Sequence, residues 1–270
     1  MKKKLAIGIL IIFLIFICIC YFFHPFLHAG RVAHISIDDV SKCFISLSED
    51  SMKYGSIFDE PFFRYLKELH EDYDCSVTCY CFENDGDFDV SQVPIKYARE
   101  LADNSDWLKF GFHGIKPMAH RPINVKYSEF TTAFSNFQKA VERFASCHNL
   151  ATMLRLDYFY ATPSEVVFLR NNGVRTLLSA DDDRRNYYLP FQKNRQLIHK
   201  NSIEYEGIKY LRTNIRIENI DFPYFNILKN RNRDTLVIFT HEWKLDNLNK
   251  YKLKRTIKIL KEQNYIFICE

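Results

Sequence analysis

Glycine is scarce in this chain, at 8 of 270 residues, where ordinary usage is about 7%. None of these glycines falls in a G-x-G-x-x-G, P-loop or G-x-S-x-G pattern. Nucleotide cofactors and serine-esterase chemistry therefore get no support. No C-x-x-C pair occurs among the 8 cysteines, which argues against a zinc-thiolate site. There is no long basic run, and a net charge of +4 argues against nucleic acid as the main partner. No internal repeat or low-complexity tract interrupts the chain. What is abundant is apolar: 47% hydrophobic residues, including 16% aromatics, can fill the core of one large domain or two small ones.

The N-terminus carries the strongest single signal. Lys2, Lys3 and Lys4 precede 19 uncharged residues, 5–23. As a helix these would span roughly 28 Å, about one hydrocarbon core. Positive charge before the span orients the N-terminus to the cytoplasm. The expectation is a cytoplasmic tail (1–4), a single transmembrane anchor (5–23), a stalk (24–30) and an extracytoplasmic domain (31–270) at the cell membrane. A cleaved signal peptide is the alternative, but the run is longer than a usual signal core and no A-x-A site follows it. Cys18 and Cys20 lie in the span; the six cysteines beyond it permit disulfides without establishing them. Cys79 and Cys81 share one face of a strand and read as small buried hydrophobes.

Beyond the stalk, strand-like and helix-like segments alternate. Strands are expected over 32–37, 75–82, 108–112, 152–156, 175–179, 210–217, 236–240 and 265–269. Between them, Phe62, Tyr65, Leu66 and Leu69 mark one helix by their spacing. Phe130, Phe134, Phe137, Val141 and Phe144 mark a second, with Ser128 as its N-cap. A third opens on Thr162 and Pro163 and closes on Gly173. A fourth carries Leu253, Ile257 and Leu260 on one face. This alternation predicts an α/β fold: a distorted (β/α) barrel of about seven to eight parallel strands, with a doubly wound open sheet as the alternative.

Barrels keep their chemistry at the C-terminal ends of strands, and acids and histidines recur there. The first strand ends in Asp38 and Asp39, the second runs into Glu83, Asn84 and Asp85, and the third ends in His113. Arg155 and Asp157 end the fourth, Asp181 to Asp183 the fifth, and His241 with Glu242 the seventh. Hydrolysis of an amide or ester by a divalent cation needs carboxylate and imidazole ligands, a base to take the water's proton and an acid to protonate the leaving group. Two adjacent carboxylates repel unless a cation sits beside them, and a metal together with Arg155 would supply one. Other residues read more simply. His24, His28 and His34 read as core or surface histidines, His70 as a solvated helix end, and Asp181 to Asp183 as a solvated loop. Trp107 and Trp243 suit either core packing or stacking on a sugar ring, with Trp243 the better placed for sugar because it follows His241.

In their order, "SIDD", "FHG", "RLDYF" and "FTH" resemble the motifs of the polysaccharide deacetylases, the NodB-like carbohydrate esterases. They are similar in particular to a divergent branch carrying "FGFH" and "THEW". The resemblance runs from about Ala33 to Cys269. It implies Asp38 as catalytic base, Asp39 and His113 as metal ligands, Arg155 as the residue that steers the base and His241 as general acid. It also implies zinc or a similar divalent ion and a glycan substrate, for which Trp243 and Glu242, by their place beside His241, are the candidate contacts. The family's second metal histidine stands four residues after the first, where this chain has Pro117; His120 and Asp157 are the candidates for a third ligand. Val40 stands where the family has Gly, and the proline of the arginine motif is missing. The expected activity is removal of acetyl groups from an extracytoplasmic polysaccharide. Two alternatives stay open: a non-catalytic glycan-binding relative, and a glycosidase pairing Asp38 with Asp157 or Glu242. The oligomeric state is left open.

Overall fold

The computed structural model describes residues 30–118, 125–230 and 233–270. The expected anchor, most of the stalk and His120 lie outside these residues. Among the described residues no helix is long and apolar enough to cross a membrane.

The first strand, β1 (Val32–Val40), is buried on both faces from Ala33 to Asp38. Its apolar members Ala33, Ile35 and Ile37 enter the hydrophobic core. The polar members His34, Ser36 and Asp38 share the other face, because successive side chains of a strand alternate. That face is also buried: His34 lies 3.2 Å from the Ile268 carbonyl and 3.2 Å from the Tyr80 hydroxyl. Burial, with the charge of Arg155 adding to it, lowers the His34 pKa to about 3, so this is a neutral core histidine, as expected.

β1 is the centre of a parallel sheet. β2 (Val77–Phe82) and, nearer its start, β12 (Ile266–Ile268) pair along one edge. β11 (Thr235–His241) pairs along the other, with β10 (Ile215–Arg216) outside it. β5 (Leu108–Gly114) follows β2. A second sheet orders β6 (Met153–Leu154), β7 (Thr176–Leu178), β9 (Ile208–Leu211) and β8 (Ser202–Tyr205), and only β8–β9 is antiparallel there. A short hairpin of β3 (Asn84–Asp85) and β4 (Phe88–Asp89) follows β2. The fold is therefore α/β with mostly parallel strands, as expected, and each of the eight expected segments contains a strand.

The ends shift by a few residues, and one segment is divided. The segment 210–217, expected as a single strand, is divided between the two sheets. At the break the Asn214 N–H donates to the Val237 carbonyl at 2.9 Å, and the Val237 N–H returns to Asn214 Oδ1 at 2.8 Å. At the other junction the Ala151 N–H donates to Phe110 at 2.9 Å. Scattered hydrogen bonds such as these, not a continuous ladder, connect the two sheets.

The four helices that the spacing predicts are present, with four further ones among the described residues. α1 (Lys42–Glu49) follows β1 directly. α2 (Pro61–Tyr73) starts where Glu60 accepts from the N–H groups of Phe62 and Phe63, and it buries Phe62, Phe63, Tyr65, Leu66 and Leu69. The short α3 (Ala98–Asp103) precedes β5. α4 (Tyr127–Phe144) buries its whole aromatic stripe, with Phe130, Phe134 and Phe137 packed around Phe112 at 5.5 to 5.7 Å. Each such phenylalanine contributes about 1.5–3 kcal/mol by leaving water. Ser128 is not its cap: the helix begins one residue earlier, at Tyr127, so Ser128 sits in the first turn. α5 (Pro163–Asn171) has the expected Thr162 cap, completed by Glu165 as a capping box. α6 (Phe191–Lys200), α7 (Pro223–Lys229) and α8 (Asn247–Glu262) complete the set, and α8 buries Leu253, Ile257 and Leu260.

Candidate active site

Adjacent residues on a strand should point to opposite faces, yet Asp38 and Asp39 reach the same site. The reason is local backbone geometry. Asp39 has φ +56°, in the left-handed region that Asp tolerates better than most residues. The register with β2 also slips between Ile37 and Val40, a bulge-type irregularity of the kind that re-aims side chains. Asp38 keeps its strand orientation and points inward; Asp39 swings out toward His113.

Asp38, 2% exposed, meets Arg155, 1% exposed: Arg155 Nε lies 3.1 Å from Asp38 Oδ2. Ser36 Oγ donates to Asp38 Oδ1 at 3.3 Å. Arg155 is fixed from the other side by Nη1 donating to Thr213 Oγ1 at 2.6 Å, and its guanidinium lies 4.3 Å from the Phe239 ring centre. Its Nε and Nη2 have no well-aligned hydrogen-bond acceptor among the described residues, so its hold on Asp38 is chiefly a charge pairing. Burial pushes the Asp38 pKa above the usual carboxylate range; Arg155, then His113 and His241, pull against it. A carboxylate moved upward in this way is a stronger base than a free one.

His113 ends the run of β5. Its Nδ1 is 2.6 Å from the Arg155 carbonyl, which fixes the ring and directs Nε2 at Asp39 Oδ1, 3.2 Å away. Burial works against charge on His113, but the bond to Asp39 and the charges of Asp38, Asp39 and Asp157 outweigh it and raise the pKa to about 9. Burial likewise works to raise Asp39, yet His113, His241 and the Trp243 indole bring it down to about 2. Asp157 is pushed up to about 6 by burial, opposed by the charge of His113. Asp157 thus feels the pair electrostatically. Among the described residues no third His, Cys, Asp or Glu joins Asp39 and His113 in a ligand group.

Across β1, the Cα partner of Asp38 on β11 is His241. His241 Nδ1 lies 2.9 Å from Glu218 Oε1, and the same oxygen accepts from the His241 backbone N–H at 2.9 Å and from Thr240 Oγ1 at 2.9 Å. Burial works to raise the Glu218 pKa; the hydrogen bonds and charge of His241 prevail and hold it at about 2. Trp243, 51% exposed, donates its indole N–H to Asp39 Oδ2 at 2.8 Å. Glu242 turns away: its carboxylate accepts from the backbone N–H groups of Ser41, Lys42 and Cys43. With the carboxylate so occupied, Glu242 is a poor partner for Asp38 in a glycosidase.

The structure thus gathers Asp38, Asp39, His113, Arg155, His241 and Trp243, keeps Asp157 nearby, and spends Glu242 on α1. Glu218 and Thr213 were not foreseen. Glu218 directly follows the sixth expected strand, so the strand-end criterion, extended to that strand, would have named it. Elsewhere Trp107 is buried against Phe58 and His70, which makes it a core residue. His70, expected to be simply solvated, stacks on Trp107 with ring centres 4.5 Å apart, and its Nδ1 is 3.2 Å from the Cys75 carbonyl. Asp182 and Asp183 pair at the surface with Arg184 and Arg212, as a solvated loop would.

The donor pair can be tested against a divalent ion by its chemistry. Asp39 supplies a carboxylate and His113 a ring nitrogen whose other nitrogen is anchored on a carbonyl, the support a ligating histidine usually has. Two further acids, Asp38 and Asp157, stand close enough to this pair to act on His113, and their charge favours a cation there. The pair supplies two donors of the kinds a divalent ion takes, one fewer among the described residues than the three protein ligands usual at a catalytic zinc.

Several solved structures share this architecture. A putative polysaccharide deacetylase from Mycobacterium smegmatis aligns over 89% of this chain and 87% of its own, at 12% identity and a TM-score of 0.54. The chain has the polysaccharide-deacetylase fold. The likeness extends more loosely to two further deacetylase-fold structures. One is a peptidoglycan deacetylase from Bacillus subtilis (13% identity, 88% and 87% covered, TM-score 0.46). The other is the catalytic domain of a peptidoglycan N-acetylglucosamine deacetylase from Eubacterium rectale (10% identity, 90% of each chain covered, TM-score 0.45). No family model matches the sequence, and no curated protein does. At these identities the deacetylase fold is what the comparisons establish.

Proposed function

We propose that this chain is a membrane-anchored, metal-dependent hydrolase of the distorted-barrel type that removes acetyl groups from an extracytoplasmic polysaccharide. The observation that carries the reading is the pairing of two oppositely equipped groups across β1 and β11: Asp38 on Arg155, and His241 on Glu218. Lys2 to Lys4 and the uncharged span 5–23 support the anchor.

Asp39 and His113 would hold the divalent ion, zinc or a similar cation, which when bound polarises the acetyl carbonyl and acidifies water. Asp38 takes the proton of the attacking water as that oxygen bonds to the carbonyl carbon. Arg155 keeps the Asp38 carboxylate aimed at the site. Glu218 accepts the Nδ1–H of His241, so that Nε2 is the nitrogen turned to substrate. His241 in its protonated form gives its Nε2 proton to the departing nitrogen or oxygen as the bond to the acetyl carbon breaks. Trp243 offers its exposed face to a sugar ring while its indole N–H holds Asp39.

The absence of a completed three-residue ligand group among the described residues favours one second reading, a glycan-binding relative without catalysis. One experiment separates the two. Full-length protein loaded with zinc is incubated with N-acetylated glycans, and acetate release is followed with and without chelator. Release that chelation abolishes, and that Asp38→Asn abolishes while zinc stays bound, is the expected result. Failure to bind zinc, nickel or cobalt, with no acetate released, would leave the glycan-binding reading.

A further inference from the structure

We infer that Glu242 is a positioning residue that holds together the two loops on which the chemistry depends, an inference that rests on the hydrolase reading of the site. Its carboxylate spans the start of α1: Oε2 accepts from the N–H groups of Ser41 and Lys42 at 2.9 Å each, and Oε1 accepts from Cys43 at 2.8 Å. These are the free donors that every helix start leaves. α1 has no cap of its own. Ser41 makes no side-chain cap bond, because its hydroxyl is given to Asp85 Oδ2 at 2.6 Å, and no acidic residue occupies the first turn. Glu242 supplies that cap from about 200 residues away in the sequence.

The consequence lies in what flanks these partners. Two residues before Ser41 stands Asp39, whose left-handed backbone at φ +56° aims its carboxylate toward His113 and Trp243. On the other strand, Glu242 stands between His241 and Trp243. Trp243 grips the Asp39 carboxylate at 2.8 Å while Glu242 grips the backbone just beyond it. Two consecutive side chains of one loop thus fix the carboxylate and the following backbone of the other. That fixes the Asp39 carboxylate and the backbone beyond it against the loop that follows His241. Glu242 touches none of the reacting groups; it acts through Asp39 and His241.

The chain has only two tryptophans, and Trp107 is buried, so the difference between wild type and Trp243→Phe reports Trp243 fluorescence alone. In full-length Glu242→Ala this Trp243 emission is expected to shift to the red and to be quenched more readily by acrylamide, as the indole leaves Asp39. The kcat for acetate release should fall about 10–100-fold, the effect of a misplacement on the scale of 1 Å, with KM changing far less. Glu242→Gln keeps the side-chain length but only one acceptor oxygen, so it should fall between wild type and Glu242→Ala on both readouts. It is read in the same way if Glu242→Ala does not fold. A purely structural cap would lower the melting temperature while leaving Trp243 quenching and kcat at wild-type values in the folded protein, and that result overturns the inference. If wild type releases no acetate yet Glu242→Ala still unshields Trp243, the clamp stands and the reaction assigned to the site falls.

Discussion

Arg155 and Asp38 form the most deeply buried charged pair of the site, and its removal yields a result with a definite sign. The side chains are 1% and 2% exposed and meet at 3.1 Å. At that distance two unit charges attract by about 5 kcal/mol at an effective dielectric of about 20. Desolvation of the two ions offsets much of this, so the pair as a whole adds little; breaking it by removing one partner costs roughly 3–5 kcal/mol. Arg155→Met retains most of the packing on Phe239 and leaves Asp38 unpaired, and should lose that amount in urea denaturation at about pH 7. Asp38→Asn should lose an amount of the same order, since it strands the guanidinium. The double variant strands nothing and should recover about 2 kcal/mol or more of the summed losses. The pH dependence follows from Asp38. Its folded pKa is raised above 3.8, chiefly by burial, so its contribution to stability is full below 3.8 and is lost as pH rises through the folded value. Arg155 opposes that rise. Without it the folded pKa moves higher still, so the deficit of Arg155→Met should shrink as pH falls toward 4, and the acid limb of kcat/KM should move to higher pH. Losses that add within about 0.5 kcal/mol in the double variant, or a deficit that does not change with pH, would refute the pairing.

Glu218→Gln removes the anionic acceptor that orients His241, and kcat is expected to fall by up to the roughly 10²–10⁴-fold that acid catalysis supplies. Glu218 is held at about 2 against a usual 4.5, so it contributes stability above 4.5 that is lost as pH falls toward 2; acid-unfolding curves of the variant should lack that component. Gly111→Ala would put a Cβ 2.6 Å from Tyr80 Cδ1 and Cε1. Tyr80 is pinned by its hydroxyl to the Met153 carbonyl at 2.8 Å and cannot swing aside, so thermal denaturation should show about 1–3 kcal/mol of overpacking. For the anchor, protease added to wall-stripped cells should digest 31–270, and carbonate washing should leave the chain in the membrane; protection of the domain, or a mature N-terminus near Ala29, would refute it.

The residues by themselves determined the eight main strand segments and four of the helices. Helices announced themselves by apolar spacing and by local stops, as Thr162, Pro163 and Gly173 did around α5, because those signals depend only on neighbours within a few positions. The ends of apolar strands announced Asp38, His113, Arg155 and His241 for the same reason. What they could not show depends on separations of 20 to 200 residues. Glu218 becomes the partner of His241 only because the segment 210–217 breaks at Thr213 and Asn214 to cross from one sheet to the other. Asp39 reaches His113 only because its backbone turns left-handed where the register with β2 slips. Glu242, which its place beside His241 presents as a substrate contact, becomes the cap of α1 because β1 and β11 lie side by side with Asp38 opposite His241. That register is set by the packing of the whole sheet, and tertiary structure alone decides it.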